Sequence, residues 1–72
     1  MMRQPVRFHP DQLREVLALV ESHGEVTAQI VATHLRSLKV HMVRSRLNTM
    51  VKDGRLYKES MGNGKPTWYG LA

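Results

Sequence analysis

The spacing of apolar residues changes once along this chain, at Gly54, and that change limits the folds open to it. Before Gly54 the apolar residues recur at helical intervals, as Leu13, Val16, Leu17 and Val20, and again as Val40, Val43, Leu47, Met50 and Val51. After it come two extended, aromatic-bearing runs, 55–61 and 65–71, around Gly62-Asn63-Gly64, which is the pattern of a β-hairpin. Within 72 residues there is space for one domain. A chain of that size buries only about 60% of its unfolded surface, so a deep catalytic cleft beside the core is not expected. The expected fold class is mainly α (α+β): helices near 10–22, 27–35 and 39–53, then a C-terminal two-stranded hairpin.

Local signals mark the boundaries. Pro10 suits the first position of a helix, where its missing N–H costs nothing, and Gly24 suits the stop. Phe8 with Leu13, and Val26 with Val31, fall at staple spacing around the two helix starts. Thr27 is a natural cap for the second helix. Residues 36–38 are too few for anything but a tight turn, and Leu38 is expected to plug its corner. Pro66 cannot donate to a ladder, so it belongs at an edge or at the hairpin tip. Trp68 and Tyr69 are adjacent and point to opposite faces of a strand, with Tyr69 expected in the core. Residues 1–8 are expected to be a flexible basic tail and 9–72 the folded domain.

Charge is divided unevenly. Residues 1–34 hold three arginines against four carboxylates, net −1, whereas residues 35–72 hold eight cations against two carboxylates, net +6. A solvated surface does not need that asymmetry, and a surface facing a polyanion does. The absence of cysteine excludes a disulfide framework and thiolate metal sites. The four histidines have no acidic or cysteine partners at ligand spacing, so no metal or cofactor is expected. Ser45 lies one turn from His41 with no carboxylate to complete a triad, and enzyme chemistry is not expected. No apolar run approaches a membrane span, and residues 1–10 lack the apolar centre of a signal peptide, so the expectation is a cytoplasmic protein, nucleoid-associated if bacterial.

The order helix, helix, tight turn, basic-faced helix and hairpin resembles the winged helix-turn-helix DNA-binding family. Thr27, Val31, Ala32 and Leu35 match the first helix of its motif, and Val43, Leu47 and Met50 run into the wing through 52–56. The resemblance implies double-stranded DNA as partner, with the third helix in the major groove. On that reading His41, Met42, Ser45 and Thr49 lie opposite the apolar arc and are the candidates for base edges. Arg36, Lys39, Arg44, Arg46, Asn48, Lys52, Lys58 and Lys65 are the candidates for the DNA backbone, and Asn63, Pro66 and Trp68 complete the wing. The wing is also similar to that of Z-DNA-binding winged-helix domains, in the order Gly54, Leu56, Lys58-Glu59, Pro66, Trp68. Where those domains carry an asparagine and a tyrosine on the recognition helix, this chain has Arg44 and Asn48. The same fold also serves protein–protein contacts, so docking to a larger assembly, or a weak homodimer, is the competing expectation. No small-molecule pocket is apparent.

Overall fold

A computed structural model describes residues 6–60 and 62–72. In order come helix α1 (Pro10–His23), strand β1 (Glu25–Val26), helices α2 (Ala28–Leu35) and α3 (Val40–Lys52), and strands β2 (Leu56–Ser60) and β3 (Thr67–Leu71). The class is mixed α and β, with three helices packed on an antiparallel sheet of order β1-β3-β2.

The helices begin and end on the expected chemistry. Pro10 opens α1, and the Gln12 side chain accepts from the backbone N–H of His9 at 3.1 Å. The Gly24 N–H closes the helix on the Val20 carbonyl at 2.7 Å. At α2, Thr27 Oγ1 accepts from the Ile30 N–H at 3.2 Å and satisfies one of the first-turn donors. Gly54, at φ 81°, takes the backbone out of α3 through a conformation that side chains disfavour.

The expected two-stranded hairpin is present, with Leu56 facing Leu71 and Ser60 facing Thr67, but the sheet has a third strand. Glu25 and Val26 pair with Gly70 and Tyr69, which makes β3 the central strand. Two residues are too few for any periodic signal. Val26 read only as a staple for α2, whereas its backbone also occupies the open edge of β3. Pro66 precedes β3 and stays outside the ladder.

One core holds the elements together: Val16 and Val20 of α1, Val26 of β1, Val31 of α2, Val43 and Leu47 of α3, Leu56 and Tyr69 of the hairpin. Leu38 packs partly buried against it, filling the α2–α3 corner. Phe8 is buried too, and Arg7 forms an ion pair with Asp53 at the end of α3. The domain therefore begins before residue 9. The tail expected over 1–8 is corrected at residues 7 and 8 because an aromatic ring can cover the apolar end of the helix pair; residues 1–5 lie outside those described.

Arg36 caps α2 with φ 62°, left-handed backbone in a residue that is not glycine. That conformation costs roughly 1 kcal/mol for a residue carrying a Cβ. Arg36→Gly is therefore expected to raise stability by up to about 1 kcal/mol, partly offset by the freer unfolded chain. Urea unfolding checks this, and a lowered midpoint would show that the arginine side chain makes a stabilising contact.

Candidate nucleic-acid interface

The position of α3 between two neighbours decides which of its side chains meet solvent. On one flank sits the hairpin. The Tyr69 hydroxyl, on a ring 2% exposed, donates to Asn48 Oδ1 at 3.0 Å. Arg44, one turn earlier, borders a small groove of about 110 Å³ together with Gln29, Val40, Pro66 and Thr67. Burial raises the pKa of the Tyr69 phenol, and the nearby Arg44 charge partly opposes that shift. The phenol therefore stays protonated and able to donate to Asn48 at neutral pH.

On the other flank α3 meets the N-terminal segment and α1. Arg46 and Met50 line a second cleft there with Phe8 and Leu13. Between the flanks, His41, Arg44, Ser45 and Lys52 are exposed, and Asn48 is half-buried beside them. Lys39, at the N-cap of α3, and Arg36 are exposed at the start of the same region.

Four α3 residues assigned to this surface from the sequence need correction, the first being Asn48, which is half-buried with its Oδ1 accepting from Tyr69 instead of free for the DNA backbone. Thr49 is only 8% exposed, and its hydroxyl donates to the Ser45 carbonyl at 3.1 Å, so it does not present a base-reading group. Met42 is half-buried. Arg46 is half-buried as well, with Nη1 donating to the Met42 carbonyl at 3.1 Å and its side chain in the cleft on the far flank. For Arg46 and Met42 the cause is helix rotation. The sequence arc of Val40, Val43, Leu47, Met50 and Val51 treats its members as equally inward. In the fold Val43, Leu47 and Met50 are buried while Val40 and Val51 are only half-buried. The inward centre therefore lies closer to Met50, which carries Arg46 inward and leaves Arg44 exposed. Ser45 also donates back to its own helix, to the His41 carbonyl at 3.1 Å, but remains exposed.

Register places the hairpin residues. Lys58 lies opposite Tyr69 and shares its face of the sheet, the face turned to the core and α3. Lys58, Asn63, Lys65 and Pro66 are exposed. Trp68 lies opposite Glu59, on the other face, with Tyr57 and Gly70. The aromatic that meets α3 at Asn48 is therefore Tyr69, and Trp68 points away from it. On that outer face the Tyr57 ring lies over Gly70, where a Cβ would collide with it, and its hydroxyl donates to Glu25 Oε2 at 3.1 Å across the central strand. This bond, more than desolvation or the Glu25 and Glu59 charges, raises the Tyr57 pKa.

Sequence reasoning did not single out Gln29, which the N-terminus of α2 brings, exposed, to the groove beside Arg44. The usable signal was its place two residues after the Thr27 cap. Nor did it foresee the cleft behind α3, of about 400 Å³, although no small-molecule pocket was expected. Among the described residues no group of three or more His, Asp or Glu side chains is placed to hold a metal ion, and no helix is long and apolar enough to cross a membrane. No protein-family model, curated protein or solved structure matches the chain.

Proposed function

We propose that this chain is a winged helix-turn-helix domain that binds double-stranded DNA, as a small transcriptional regulator or a phage or plasmid control protein acting in the cytoplasm. One observation carries the reading. The exposed side of α3 offers His41, Arg44, Ser45 and Lys52, and the hairpin at its flank adds Lys58 and Lys65, with one carboxylate, Glu59, on that strand and turned to the opposite face. The major groove is about 12 Å wide and admits one helix. With α3 in it, His41 and Ser45 approach base edges, and Arg44 and Lys52 reach phosphates on either side. Lys58 and Lys65 lie along the adjacent backbone, while Asn48, bound to Tyr69, fixes the angle between helix and hairpin. Right-handed duplex is the favoured form, because Trp68 lies on the far side of the sheet from Asn48.

The competing reading, docking to a protein, has its own support in the outer sheet face. There Tyr57 is 42% exposed beside half-buried Trp68, with Glu25 and Glu59 nearby. An amide titration with random-sequence duplex at low salt separates the two. DNA binding through the proposed surface should shift the amides of 39–52 and 58–67 in the same titration. Shifts confined to 25, 57 and 68, or no shifts, would favour the protein-docking surface.

A further inference from the structure

We propose that the cleft behind α3 binds a small organic carboxylate with an apolar body. Its volume of about 400 Å³ lies within the range of small-molecule sites. Phe8, Leu13 and Met50 give it apolar walls, and Arg7, Arg46 and Arg55 give it three guanidinium groups. The one carboxylate present, Asp53, is already held in an ion pair by Arg7. The C-terminal end of α3 adds about half a negative charge, too little to cancel the remaining arginines. A cationic ligand is thus disfavoured, a neutral one leaves the guanidinium groups unused, and a bare inorganic anion leaves the apolar walls unused.

Arg46 sharpens the choice. Its Nη1 is satisfied by the Met42 carbonyl at 3.1 Å, whereas Nε is buried with no acceptor among the described residues. A buried donor without a partner is costly, and a planar carboxylate supplies two oxygens matched to the Nε and Nη2 edge of a guanidinium. Because Nε is out of reach of water, the ligand must draw the guanidinium slightly outward as it binds. The cleft lies on the flank of α3 away from Arg44 and Asn48, so its occupant and a duplex do not compete for the same atoms.

The test uses the full chain without DNA, so its failure is distinct from failure of the nucleic-acid reading. Benzoate is titrated while the amides and the arginine Nε–Hε signals are followed by NMR, with benzamide and inorganic phosphate as controls. The expected result is saturation with a Kd on the order of 1 mM, as suits so small a ligand. Shifts should centre on Phe8, Leu13, Met50 and the Arg46 Nε–Hε, and both controls should bind about tenfold more weakly or not at all. Arg46→Lys keeps the charge and most of the stem but loses the planar fork, and should weaken benzoate about tenfold. Arg55→Ala, at an exposed position that does not threaten folding, should weaken it about threefold. Absence of saturation, equal binding of benzamide, shifts centred elsewhere, or unchanged affinity in Arg46→Lys would each overturn the proposal.

Discussion

Leu47→Ala is expected to cost about 2–5 kcal/mol of folding stability, the sum of lost transfer energy and the cavity left behind. Leu47 is fully buried at the middle of α3, in the one core shared by all three helices and the hairpin. No neighbour can close the gap without moving a second element. For so small a domain the loss is a large share of the total, so the variant should be substantially unfolded at moderate urea or temperature. Chemical denaturation measures it. A cost below about 1 kcal/mol would mean that α3 is rotated away from the position described, and the assignment of its exposed face would fall with it.

A second large effect is expected at Arg44, where it also distinguishes the two flanks of α3. Arg44→Ala should weaken binding to every duplex sequence alike, by roughly five- to tenfold at low salt, and reduce the salt slope by about 1. Arg46→Ala should leave both nearly unchanged, although the two residues are a pair apart in sequence and equally basic, because Arg46 lies in the opposite cleft. Replacing His41 or Ser45 should instead change the preference between sequences by about 1–3 kcal/mol at one base pair, with little change of slope. Fluorescence anisotropy on a selected and a scrambled duplex reads all four variants. Equal losses for Arg44→Ala and Arg46→Ala would contradict the geometry of the interface.

What could be read from the sequence was local chemistry and period. Thr27, Pro10 and Gly54 act through their own backbone or nearest turn, so their roles needed no tertiary knowledge. Tyr69 in the core and Pro66 outside the ladder followed from strand alternation and a missing donor. Strand β1 was hidden because it depends on an unpaired edge of β3 more than forty residues away in sequence. The turn of α3 was hidden for a related reason. Even a narrow apolar arc leaves the rotation of a helix open by some tens of degrees until its neighbours pack on it, and Arg46 lies with Phe8 and Leu13 in the far-flank cleft, off the solvent face. The cleft and the Asn48–Tyr69 bond likewise arise only from contacts between elements.

If α3 and the hairpin engage a polyanion together, duplex binding must depend steeply on salt. Four phosphate contacts, from Arg44, Lys52, Lys58 and Lys65, correspond to a slope of about −3.6 in log K against log salt for B-form DNA. Lys39 and Arg36 would make it steeper. Anisotropy of a labelled random duplex across a range of salt concentrations should give a slope between about −3 and −5, with the affinity falling steeply toward physiological salt. A slope near zero, or no binding at the lowest salt, would contradict the account and leave the outer sheet face around Tyr57 and Trp68 as the working surface of the molecule.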